Sequence, residues 1–136
     1  MSFELHPRIA ADTVALGDLM ICRVLMMNDA RYPWLMLVPR RPNVTELFDL
    51  GVAERAILME EIATVSAALK DVTECRKLNI ATLGNVVPQL HVHIVARFED
   101  DGAWPGPVWG NGAARPYVNG EGQEFAGRIA RRLEFI

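Results

Sequence analysis

Between residues 88 and 97 two kinds of side chain alternate, and this constrains the fold more than any other feature of the chain. Leu90, Val92, Ile94 and Ala96 fall on one side, while Gln89, His91, His93, Val95 and Arg97 fall on the other. A period of two marks an extended strand, whose successive side chains leave opposite faces of a sheet. The aliphatic side belongs in a core. The other side presents an amide and two imidazoles in a row, successive same-face residues lying about 6.6 Å apart. His6 is the only other histidine in the chain, so a pair on one strand face is not background.

The flanking sequence supplies partners for this strand. Residues 20–27 and 34–39 are short apolar runs separated by the turn formers Asn28-Asp29-Ala30-Arg31-Tyr32-Pro33, which predicts two antiparallel strands joined by a loop. Pro39 and Pro42 close the second of them, because proline cannot donate to a central ladder. From about Val52 to Lys70 the period changes: Ile57, Leu58, Ile62, Val65 and Leu69 recur at helical spacing among Glu54, Glu60, Glu61 and Lys70. Residues 77–84 read as a further strand stopped by Gly84-Asn85, residues 98–120 as loop, and Glu121 to Leu133 as a last helix with Phe125, Ile129 and Leu133 four apart. These elements predict an α+β fold: an antiparallel sheet of about five strands, one long central helix and a C-terminal helix.

At 136 residues the chain fits a single domain, with a core expected at about 18–110 and a C-terminal loop and helix at 111–136. Its net charge of −3 gives no electrostatic footprint for nucleic acid, so local donors would have to hold a phosphate. No apolar run approaches the ~20 residues that span a bilayer. The start, Met1-Ser2-Phe3-Glu4-Leu5, has neither the basic nor the apolar region of a secretory signal, and Cys22 and Cys75 read as buried free thiols. A cytoplasmic location is expected. The acidic run Glu99-Asp100-Asp101 and the cluster Arg128, Arg131 and Arg132 read as solvated.

The residues leave three readings of the polar strand face open. His91 and His93 could simply face solvent. They could form half of a metal site, which would need at least one more protein ligand, from Asp or Glu in the 99–101 loop. Or one imidazole could attack phosphorus while its neighbours hold the phosphate, since a neutral imidazole is an available nucleophile near pH 7.

The same segment resembles the histidine triad (HIT) superfamily, whose motif is His-φ-His-φ-His-φ-φ followed by a basic residue. Aligned on Arg97, the triad falls on Gln89, His91 and His93, with glutamine at the first position. The resemblance spans roughly residues 18–110. Leu37-Val38-Pro39-Arg40-Arg41-Pro42 is similar to the family's strand and Pro-basic turn, Gly84-Asn85 to its phosphate-approaching step, and Trp104-Pro105-Gly106 to its tryptophan-bearing tail. The segment Met27-Asn28-Asp29-Ala30-Arg31-Tyr32-Pro33-Trp34 is similar to that of short proteobacterial HIT proteins.

The resemblance implies a HIT-like fold and a hydrolase or transferase acting at the α-phosphate of a nucleotide derivative, such as a phosphoramidate or a dinucleoside polyphosphate. His91 would be the nucleophile of a nucleotidyl-histidine intermediate, with His93 and Gln89 donating to the phosphate. Asn28, or alternatively Asp29, would bind the ribose, and Gly84 and Asn85 the phosphate. Trp104 and Trp109, which stand in a loop rich in Gly and Pro, read as a ligand or subunit contact. Trp34 stands where many relatives place a supporting histidine, and Val86 where they carry Ser or Thr. The implied partners are a small purine nucleotide and a second copy of the chain, with neither nucleic acid nor membrane, and no metal or cofactor is implied. A nucleotide-binding sensor with little turnover is the alternative.

Overall fold

The computed structural model describes residues 2–136. A six-residue helix α1 (Pro7–Asp12) leads into strands β1 (Thr13–Asp18), β2 (Cys22–Met27) and β3 (Trp34–Pro39). The long helix α2 (Val52–Thr73) then crosses to strands β4 (Lys77–Ala81) and β5 (Val92–Arg97), and α3 (Glu121–Ala130) follows the last loop. All strand pairs are antiparallel, in the order β1-β2-β3-β5-β4. The expected α+β architecture of about five strands, a long helix and a C-terminal helix is the one observed.

One face of the sheet carries the main core. Val24, Met26, Leu35, Leu37, Val92, Ile94 and Ala96 meet Leu58, Val65, Leu69 and Val72 of α2 and Ile129 of α3. The apolar stripe of α2 is rotated slightly from the expected one: Ile57 and Ile62 sit at its edge, and buried Glu61 lies within it. The Glu61 carboxylate accepts the backbone N–H groups of Ile21 (3.0 Å) and Cys22 (2.9 Å), so a charged residue serves as a cap for the β1–β2 turn. Helix α2 ends where Glu74 takes a left-handed conformation (φ 53°) and donates its N–H to Lys70.

The second face is covered by the N-terminal segment with the short helix α1 and by an irregular loop. Ile9, with Phe3 and Leu5, packs on Leu25, Met36 and Val38, while Tyr32, Trp34 and Val95 meet Val108 of the 98–117 loop. The elements therefore begin before residue 18, since β1 and α1 both belong to the packed sheet.

Two strand boundaries differ from the sequence reading. Strand β5 begins at Val92, so Pro88, Gln89, Leu90 and His91 precede the ladder. The Leu90 N–H is donated to Val44 rather than to a neighbouring strand, and Pro88 has no N–H to give. Strand β4 stops at Ala81, opposite His93, short of the expected residue 84, and Gly84 turns the chain at φ 74°.

Candidate active site

Each histidine is fixed by a different partner, and the two partners impose opposite tautomers. His91 lies just before β5, where its Nδ1 is 2.6 Å from the backbone carbonyl of Gln89. A carbonyl only accepts, so Nδ1 carries the proton and Nε2 keeps its lone pair. His93 is inside β5, opposite Met36 and diagonal to Trp34. The Trp34 indole N–H donates to His93 Nδ1 at 3.0 Å. An indole only donates, so Nδ1 is the acceptor and the neutral ring carries its proton on Nε2.

The rings stand 4.9 Å apart at 74°. Trp34 and Trp109 close around His93 edge-on, at centroid distances of 5.7 and 5.3 Å. His91 and His93 are only 7% and 5% exposed. Burial, with a smaller contribution from neighbouring His91, pushes the His93 pKa down from its ordinary 6.5 to about 4. At neutral pH His93 is thus an uncharged ring with its N–H on Nε2, and the Gln89 carbonyl keeps the Nδ1 proton of neighbouring His91 in place. The solvent-facing reading of the two histidines is overturned by their burial.

Beside them lies a cleft of about 720 Å³, a size typical of small-molecule sites. Arg8, Ala11 and Asp12 of α1 form one side, Met27 and Asn28 with Trp34 the floor, and Trp109, Gly110, Gly112 and Pro116 the other side. Neither histidine lines the cleft itself. The connection runs through Trp34 and Trp109, which line it and pack on His93.

The remaining sequence-predicted residues are distributed unevenly. Asn28 reaches the cleft, though its side-chain oxygen already accepts the Tyr117 N–H at 3.0 Å. Asp29 also borders the cleft, but it is a buried residue whose carboxylate is committed to the Arg31 guanidinium and to the N–H groups of Arg31 and Arg115. Burial favours its neutral form, but those bonds prevail and hold its pKa below the usual carboxylate value. Gly84 borders a separate depression of about 220 Å³ with Thr45 and Pro88, and Asn85 is exposed, whereas neighbouring Val86 lines the main cleft.

Of the two loop tryptophans, Trp109 lines the cleft and packs on His93, while the Trp104 ring lies 5.8 Å from the Arg97 guanidinium. One expectation is corrected outright. Asp101 is not a solvated loop residue, for it forms a two-pronged ion pair with Arg97, whose side chain is 1% exposed. The Gln89 side chain also turns from the expected row: its amide bonds to Glu4 and His6 of the N-terminal segment. Among the described residues, no group of three or more His, Cys, Asp or Glu could hold a metal ion.

Sequence reasoning missed the Arg97–Asp101 pair, although an arginine on a buried strand face signals that a carboxylate must be near. It also missed α1, whose Pro7 at the first turn was its one local signal.

The model of the HIT domain family matches residues 9–100. Three solved structures are similar over almost their whole lengths. A histidine triad protein from Bradyrhizobium japonicum shares 51% identity at a TM-score of 0.95, covering 97% of this chain and 98% of that one. One from Sinorhizobium meliloti shares 46% at 0.94, covering 96% and 97%. Another, from Marinobacter aquaeolei, shares 40% at 0.93, covering 98% and 97%. No curated protein matches the chain.

Proposed function

The chain belongs to the HIT domain family, and from that premise we propose that it binds a nucleotide, preferably a purine nucleotide, and breaks a bond at its α-phosphate. The observation that carries the reading is the pair of opposite tautomers, one ring ready to attack and the other ready to donate.

In this mechanism the His91 Nε2 lone pair forms a bond to phosphorus, and the leaving group departs with the electrons of the bond it loses and a proton taken from solvent, which the water of the second step later returns. The leaving group is the amine of a phosphoramidate or the distal phosphate of a dinucleoside polyphosphate. His91 then carries a positive charge, which the Gln89 carbonyl stabilises through Nδ1–H. The His93 Nε2–H donates to a non-bridging oxygen, where negative charge builds up in the transition state. Water then attacks the same phosphorus and releases nucleoside monophosphate, restoring the lone pair to His91. Asn28, which lines the cleft, would bond a ribose hydroxyl.

We place the working form as a homodimer, supported by family membership and by the exposed apolar residues Met59 of α2 and Ile80 of edge strand β4. Cytoplasmic residence is supported by the two buried free thiols, Cys22 and Cys75. Among the described residues, no helix is long and apolar enough to cross a membrane.

The test is turnover of a fluorogenic adenosine phosphoramidate. The wild-type chain is expected to turn it over. His91→Ala is expected to lose at least about 10³-fold in kcat while still binding AMP, in line with the loss of an essential nucleophile. A His91→Ala protein that keeps most of its activity would refute the nucleophile, and a wild-type chain that binds AMP without turnover would be a sensor.

A further inference from the structure

The Gln89 amide is satisfied at both ends by one short segment: Nε2 donates to the Glu4 carbonyl at 2.8 Å, and Oε1 accepts the His6 backbone N–H at 2.8 Å. His6 is the N-cap of α1, its Nδ1 accepting the Arg8 N–H at 3.1 Å. A helix of six residues has no independent stability in water. Its position therefore depends on what holds it, namely Ile9 buried against the second sheet face and the grip of Gln89 on its cap. That helix brings Arg8, Ala11 and Asp12 to the cleft.

We propose that the Gln89 side chain is a positioning residue for nucleotide binding, clamping residues 4–6 so that α1 forms one wall of the cleft. The proposal rests on the nucleotide-binding reading above. Residue 89 has two separate tasks: its backbone carbonyl orients His91, and its side chain holds the wall. Replacing the side chain removes only the second task. An amide suits the clamp because it donates and accepts at once; a carboxylate would turn an oxygen without a proton toward the Glu4 carbonyl. Arg8 and Asp12 are mostly exposed and only loosely paired, at 3.8 Å, so the wall offers ligand contacts that are not already committed.

The experiment combines calorimetric titration of AMP, steady-state kinetics with adenosine phosphoramidate, and amide hydrogen exchange. Gln89→Ala, which loses two neutral hydrogen bonds, and Gln89→Glu, which loses one and turns a carboxylate oxygen toward the Glu4 carbonyl, are each expected to bind AMP about tenfold more weakly and to raise KM in parallel, with kcat reduced less than about threefold. In the wild-type protein, AMP is expected to slow exchange at the His6 amide and in α1. Unchanged AMP affinity in the folded variants would overturn the proposal, as would a loss confined to kcat, which would put the amide at the reacting phosphate. If neither variant folds, exchange on the wild-type protein decides, and a His6 amide as fast as in an unstructured peptide, or unaffected by AMP, overturns the clamp. A wild-type chain that fails to bind AMP removes the nucleotide reading and the proposal with it. Wild-type binding with unchanged variants removes the proposal alone.

Discussion

At the scale of single residues, the Trp34–His93 contact sets a chemical state that the sequence alone reads as a deficiency. In sequence Trp34 stands where a supporting histidine is common, yet its indole N–H gives His93 one defined tautomer. The depressed His93 pKa has a consequence for stability. The folded value of about 4 lies below the ordinary 6.5, so between these pH values the unfolded chain binds more protons. Stability from a neutral His93 is fully present above pH 6.5 and is lost as pH falls from there through about 4, at no more than about 1.4 kcal/mol per pH unit for one proton. His93→Gln retains an acceptor for Trp34 but cannot titrate. Urea unfolding at pH 7 and pH 5 is expected to show a larger loss for the wild-type protein than for this variant, and equal losses would disprove the assignment.

At the scale of elements, β5 shows what was legible in the sequence and what was not. Its alternation located the core face and the two histidines, because a half-buried strand imposes a period of two. The same rule failed for Gln89. The period continues through residues 88–91, but the ladder does not, and a side chain outside the ladder follows its own hydrogen bonds. Helix α2 was legible for a similar reason, its long-range periodicity surviving one buried glutamate. The loop after β5 was legible as a loop, but its shape was not. Its shape is dictated by Asp101, which accepts from the Arg97 guanidinium and from the N–H groups of Phe98, Ala103 and Trp104. The Arg97 hydrogen bond, with those N–H groups, holds the Asp101 carboxyl well below the usual carboxylate range. Asp101→Asn leaves a buried guanidinium without its counter-charge and is expected to cost about 3–5 kcal/mol. Thermal unfolding measures it, and a loss under about 1 kcal/mol would show that the pair is not the anchor.

At the scale of the whole molecule, β1 and β4 are the edges of the sheet, and β4 carries half-exposed Ile80 beside Met59 and Leu47. Such an edge is a template for a second chain, and a two-fold arrangement would bury it in both copies at once. Light scattering at micromolar concentration is expected to give twice the 15.2 kDa of one chain. Ile80→Lys is expected to shift it toward the monomer. A wild-type mass of one chain would rule the dimer out.

The two faces of the sheet also differ in how they come apart. One is covered by α2 and α3 over a large continuous core, while the other lies under two small clusters held by the N-terminal segment and the 98–117 loop. Peeling back either segment exposes little apolar surface and leaves the larger core untouched, so it requires far less free energy than global unfolding. The histidines sit beneath that weaker cover. A protein built this way is expected to open first on its working side, and a protease present in trace amounts is expected to make its first cut there, long before the chain as a whole has unfolded.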